Sequence, residues 1–182
     1  LVLALTAIGA DPTNVAGHNL ISPLGDYEKV VWQGVNGPIY ALLALDCGDY
    51  EMPWVRQKYV DYILQQQCPE GGWSLADTSD PDLTGMALQA LAPYKSMGSV
   101  SAAVTKAANW LSEIQAKDGT FSYEGKPTSE SLAQVITGLT ALVMEYIKET
   151  MPEVTDVRTL AQYLLTSTAN PLPYDEGSYY SP

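Results

Sequence analysis

The sequence predicts an all-α fold built from repeated helix pairs. Three observations predict it: an internal repeat with a period of 48 residues, an alternation of two helix types, and no strand pattern of useful length.

The repeat is the primary signal. Gln67-Cys68-Pro69-Glu70-Gly71-Gly72-Trp73-Ser74 returns as Gln115-Ala116-Lys117-Asp118-Gly119-Thr120-Phe121-Ser122, shifted by 48 residues. Gln, acid, Gly, aromatic and Ser fall in register. The same shift carries Asp82 onto Glu130, Leu91 onto Leu139 and Tyr62 onto Trp110. An earlier, degenerate copy stands at a shift of 46, where Ala41-Leu42-Leu43-Ala44-Leu45 precedes Ala87-Leu88-Gln89-Ala90-Leu91. Ala4-Leu5 ends a similar, truncated segment.

Each repeat reads as two helices. One type is striped. Over 99–115 the apolar residues Val100, Val104, Ala107, Leu111 and Ile114 recur every three or four positions, which places them on one face. Val55, Tyr59, Ile63 and Leu64 form the same stripe earlier, and Val154, Val157, Leu160, Ala161 and Leu164 form it later. The other type is apolar nearly all round, over 37–45, 83–92 and 132–144. Such a helix is buried on several sides. Its glycines and alanines (Ala41, Ala44, Gly85, Ala87, Ala90, Gly138, Ala141) let neighbouring helices approach closely. Striped helices outside and apolar helices inside make two layers that curve about an axis.

Turn chemistry supports these bounds. Asp80-Pro81 places a capping acid before a proline at the first helical position, and Asp11-Pro12 has the same form. Ser129 is placed to cap the next copy. Gly71, Gly72 and Gly119 are expected to end the preceding helices.

Bulk composition narrows the function classes. The 182 residues suit one domain, and 46% hydrophobic content is enough for a core. Asp and Glu outnumber Lys and Arg by 21 to 9, for a net charge of −12. That sign disfavours nucleic acid and anionic membranes. No apolar run reaches the length of a membrane span. Cys47 and Cys68 stand 21 residues apart, with no C-x-x-C motif. They read as two small buried hydrophobes, with a single disulfide as the alternative. Leu1 opens inside an apolar run, Leu1-Val2-Leu3-Ala4-Leu5, so the chain is read as an excerpt of a longer protein.

The segment Gln-x-x-(Glu/Asp)-Gly-x-(Trp/Phe)-Ser, joining a striped helix to an apolar one, resembles the QW-type repeat of squalene-hopene cyclases. Protein prenyltransferase β-subunits and the transcobalamin toroid are similar. Asp80-Pro81-Asp82-Leu83-Thr84-Gly85-Met86-Ala87-Leu88-Gln89-Ala90-Leu91 resembles an inner-helix start of that terpenoid-cyclase/prenyltransferase superfold. Trp32-Gln33-Gly34-Val35-Asn36-Gly37-Pro38-Ile39-Tyr40-Ala41-Leu42 resembles toroid domains of Gram-positive surface proteins. The resemblance spans roughly residues 1–165. It implies an α/α toroid, or part of one, over residues 1–170, followed by a Pro/Tyr-rich tail at 171–182 with Tyr174, Tyr179 and Tyr180. Inner helices are expected near 1–8, 37–46, 82–92 and 130–147, and outer helices near 55–67, 100–116 and 154–167.

Chemistry is weighed against that background. Cyclases of the superfamily carry Asp-x-Asp-Asp-Thr, whose middle acid protonates the substrate. Asp80 and Asp82 match the first two acids, but Leu83 stands where the third belongs. Both acids also suit plain capping and helix-dipole roles. A prenyltransferase zinc site needs Asp, Cys and His together, and the chain has one histidine, His18, in a polar loop. Cys47-Gly48-Asp49-Tyr50 lacks the Gln that an internal thioester requires. Nucleotide, dinucleotide, serine-hydrolase and zinc-protease motifs are absent from the sequence. Asp77, Ser79, Asp80 and Asp82 offer oxygen ligands, without EF-hand spacing. Trp73 and Phe121 read as wedges between helix ends, with the preceding Gln bonded to backbone.

The expectation is therefore a non-catalytic binding or scaffold module of an extracellular or cell-surface bacterial protein, with no cofactor or metal. Its expected partner is a surface protein, a glycan or a small apolar ligand. The candidate ligand set is Gln33, Asn36, Tyr40, Trp73, Asp80, Asp82, Glu130 and Gln134. Two alternatives are an enzyme with Asp82 as general acid and Asp80 beside it, and a corrinoid-binding module.

Overall fold

The computed structural model describes residues 1–48, 50–123 and 125–150. The expected helix at 154–167 and the tail at 171–182 lie outside the described residues. So does Asp49, and nothing is described of the Tyr123 side chain. The described chain is all-α apart from one two-residue hairpin. Its seven helices are α1 Val2–Ala7, α2 Tyr27–Val31, α3 Asn36–Asp46, α4 Pro53–Gln65, α5 Pro81–Leu91, α6 Gly98–Ile114 and α7 Ser129–Thr150. Single 3-10 turns occupy Ser22–Gly25 and Ala92–Tyr94. The hairpin pairs β1 Ser122–Tyr123 with β2 Lys126–Pro127 antiparallel.

The chain divides into two compact units, Leu1–Leu142 and Val143–Pro182. Of the second, only the last turns of α7 are described, with Lys148 paired to Glu145.

In the first unit, α3 packs on α4 and α5, and α5 packs on α6. The expected apolar helices form the centre of the core. Ile39, Leu42 and Leu45 of α3, and Leu88 and Leu91 of α5, are fully buried. Each such side chain contributes about 1.5–3 kcal/mol of burial. The striped helices bury one face, through Val55, Tyr59 and Ile63 of α4 and Val100, Ala107 and Leu111 of α6. Ile114, placed on that stripe by its spacing, is 38% exposed because α6 ends there. At the far end of α3, Arg56 donates to Asp46 at 2.7 Å and Tyr94 donates to the same carboxylate at 2.9 Å.

The two copies of the Gln-Gly-aromatic segment share one backbone turn. Cys68 N–H donates to Gly72 O and Gly71 N–H to Cys68 O; one repeat later, Ala116 donates to Thr120 O and Gly119 to Ala116 O. Gly71 and Gly119 take φ of +123° and +84°, a region open to glycine at little steric cost. These glycines therefore shape the turn and do not cap the helices. α4 already ends at Gln65 and α6 at Ile114. Gln67 Nε2 reaches Gly71 O at 2.7 Å, and Gln115 Nε2 reaches Gly119 O at 3.2 Å.

Four other expectations are corrected. Asp11-Pro12 starts no helix, because the Asp11 carboxylate accepts from Thr13 N–H at 2.8 Å in a local turn and no apolar stripe follows. The cap of α7 is Thr128, whose Oγ1 accepts from Ser131 N–H at 3.1 Å, and Ser129 is already inside the helix. The cysteines are free, and only Cys68 is buried. Cys47 is exposed at the end of α3, where the helix leaves the core. Finally, α7 is not covered all round: Ser131 and Val135 are buried, while Ile136 is 54% exposed.

Candidate functional site

A cleft of about 400 Å³ opens at the N-terminal ends of α3 and α5. That volume lies within the range of small-molecule sites, about 300–1,000 Å³. Its walls follow from helix periodicity. Asn36 opens α3, and Tyr40 lies one turn on along the same face. Asp80 caps α5, Asp82 occupies its first turn, and Met86 lies one turn further on. The Tyr40 hydroxyl and the Met86 sulfur approach to 4.0 Å and span the two helices.

The third wall is the loop Ser74–Leu75–Ala76. Trp73 fixes its start. The indole is fully buried and donates to Ile63 O at 2.7 Å. Its backbone N–H donates to Thr84 Oγ1 at 2.9 Å, and its carbonyl accepts from Asp80 N–H at 3.0 Å. The loop is thus tied to α4 on one side and to the start of α5 on the other. Leu75 then reaches over to Gly34, where a Cβ would sit 3.1 Å from its methyl carbon.

The electrostatics are one-sided. Asp80 and Asp82 line the cleft, and no basic side chain does. One Asp80 oxygen accepts from Leu83 N–H at 2.7 Å as the cap of α5. Burial pushes the Asp80 carboxyl above the ordinary aspartate range, and the neighbouring charge of Asp82 pushes the same way. Asn36 Oδ1 and Asp82 Oδ1 are shut off from bulk water and have no donor. A buried acceptor left unpaired costs about 1–3 kcal/mol. Among the described residues, no three His, Cys, Asp or Glu side chains are grouped as a metal requires. Asp77 stands outside the cleft lining, so the oxygen ligands proposed from sequence do not converge.

The structure brings together four of the eight expected ligand residues: Asn36, Tyr40, Asp80 and Asp82. Gln33 is exposed outside the lining. Trp73 offers a ligand no surface, because the core encloses it. Glu130 and Gln134 lie on α7, outside the lining; Glu130 accepts from Ser129 Oγ at 3.0 Å. Sequence reasoning missed Ser74, Leu75, Ala76, Leu83 and Met86 as lining. The available signal was their position: the first three fill the short link between the aromatic wedge and the cap, and Met86 lies one turn from Asp82.

The residues that build the cleft differ in the second copy. The cap there is Thr128 where the first copy has Asp80, so the acid pair becomes Thr128 and Glu130. The link after Phe121 folds as the β1–β2 hairpin. Compared with protein-family models, with curated proteins and with solved structures, the chain matches none.

Proposed function

We propose that the chain is an α/α toroid, whole or partial, acting as a non-catalytic binding module of an extracellular or cell-surface bacterial protein. The cleft at the ends of α3 and α5 is its ligand site. The single observation that carries this reading is an open cleft whose buried acceptors, Asn36 Oδ1 and Asp82 Oδ1, have no partner within the protein. Support for the toroid comes from the turn repeated bond for bond after α4 and α6, and from packing between successive helices. The bacterial surface setting rests on the likeness of the 32–42 segment to toroid domains of surface proteins. Among the described residues, no helix is long and apolar enough to cross a membrane.

The enzyme reading takes Asp82 as general acid. The raised Asp80 carboxyl beside it favours that reading. Two features weigh against it. Leu83 occupies the position of the third acid. The rim is open, with Tyr40 50% and Leu75 63% exposed, whereas a protonating acid works in a water-excluded cavity. The corrinoid reading has less support, since no histidine lines the cleft.

A thermal-shift and native mass-spectrometry screen tests the proposal, with polyprenyl diphosphates, cobalamin, short glycans and small amines as probes. Binding without turnover, weakened by Asp82→Asn, supports it. Turnover of a polyprenyl substrate that disappears in Asp82→Asn overturns it.

A further inference from the structure

We propose that the cleft between the starts of α3 and α5 binds an organic cation, an alkylammonium or alkylguanidinium group carried on a short apolar stem. The inference deepens the binding-module reading and rests on it.

Charge is the first argument. Two carboxylates, Asp80 and Asp82, face a space lined by no Lys, Arg or His. The two helix starts supply opposing partial charge of about half a unit each, less than the acids carry together. Burial and the mutual repulsion of the pair already raise the Asp80 carboxyl. A cation counters that repulsion. The whole chain, at −12, draws cations inward.

Hydrogen-bonding capacity is the second argument. The buried side-chain atoms that lack partners at the cleft, Asn36 Oδ1 and Asp82 Oδ1, are acceptors. An ammonium offers three donors and a guanidinium five, and neither brings an acceptor that would need its own partner. An anion or a carbonyl ligand would add acceptors beside two carboxylates, where the only side-chain donors are the Asn36 amide and the Tyr40 and Ser74 hydroxyls. A sugar hydroxyl brings both and matches less well.

Shape is the third. Tyr40 presents an aromatic ring on the rim, suited to a cation over its face. Leu75, Leu83 and Met86 give an apolar wall for a stem. A volume of about 400 Å³ accommodates such a molecule, and the absence of a three-ligand cluster among the described residues disfavours a bare metal ion.

The test is a titration of the ¹⁵N-labelled chain, followed by two-dimensional NMR at low salt. The probes are n-butylammonium, agmatine, cadaverine and a lysine blocked at both backbone ends. 1-Butanol and methyl glucoside are the neutral controls. The expected result is a saturable shift of amides in 36–40, 74–76 and 80–86 with the cations, at least tenfold weaker with butanol. Asp82→Asn and Tyr40→Leu are each expected to weaken it at least tenfold, and Asp118→Asn, far along the sequence and exposed, to leave it unchanged. Thermal melts confirm that each variant is folded. Binding of the blocked lysine identifies a partner's side chain as the source; binding of the free amines alone identifies a diffusible small molecule. Saturation by methyl glucoside but not by the cations overturns the cation class and keeps the binding site. No shift with any probe overturns both.

Discussion

Gly85 and Gly138 sit back to back where α5 meets α7. A Cβ on Gly138 would strike the Gly85 carbonyl, and one on Gly85 would stand 2.8 Å from Val135 N as well as against the Gln134 carbonyl. Neither obstacle is a flexible side chain. Gly85→Ala and Gly138→Ala are each expected to lower stability by about 1–3 kcal/mol through overpacking. That loss outweighs the gain of about 1 kcal/mol in helix propensity. Gly98→Ala meets nothing within 4 Å and should be neutral or mildly stabilising. Urea unfolding of the three variants checks the order; equal effects would show that α5 and α7 have room to part.

Gln67 and Gln115 occupy the same place in the repeat but make different bonds. Gln67 Nε2 donates to both Gly71 O and Ala103 O, at 2.7 and 2.8 Å, and so clasps the following striped helix. Gln115 donates to Gly119 O at 3.2 Å and is exposed. Gln67→Ala is expected to cost about 1–3 kcal/mol and Gln115→Ala less than about 1 kcal/mol. Denaturant midpoints measure the difference, and the reverse order would refute the clasp.

Asp80 sets a pH dependence. Its carboxyl titrates above the ordinary value of 3.8 in the folded chain. The folded state therefore holds the proton more tightly than the unfolded one. Stability falls as pH rises from 3.8 toward the folded value and stays lower beyond it. Asparagine also caps helices, so Asp80→Asn keeps the cap and removes the charge. The variant is expected to melt above the parent at pH 7, with the gap closing below pH ~3.8. A gap that persists at pH 3 would place the effect elsewhere.

The thiols differ in access. Cys47 is exposed and Cys68 is buried in the turn after α4. A thiol reagent is expected to modify one thiol of the native chain quickly and the second only on unfolding. Cys47→Ser should remove the fast phase, and Cys68→Ser the slow one.

Much of this was legible because the signals are local. Helix period and the Asp-Pro cap placed a helix at 82–92, and the structure has Pro81–Leu91. Spacing likewise placed 100–116, found as Gly98–Ile114. What was not legible depends on distant partners. α2 is five residues long and lies next to a 3-10 turn that Tyr59 holds, its hydroxyl donating to Leu24 O at 2.5 Å. The cleft needed the same kind of knowledge. Every helix start of the repeat looked equally suited to a ligand. Only the folding of the Ser74–Ala76 loop toward Gly34 selects Asn36 and Asp82 over Gln33, Glu130 and Gln134.

The packing of α3 on α5, and of each on its flanking helices, has a consequence for cooperativity. Contacts that reach the next helix or the one after it make an array whose stability is a sum of repeat terms and couplings between adjoining elements. A lesion at one link weakens the adjoining helices and is diluted further along. Amide exchange should therefore be slowest where coupling comes from both directions, at α3 and α5, and quicken toward α1. The cleft lies between those two slowest helices, so its walls are the last part of the array to open.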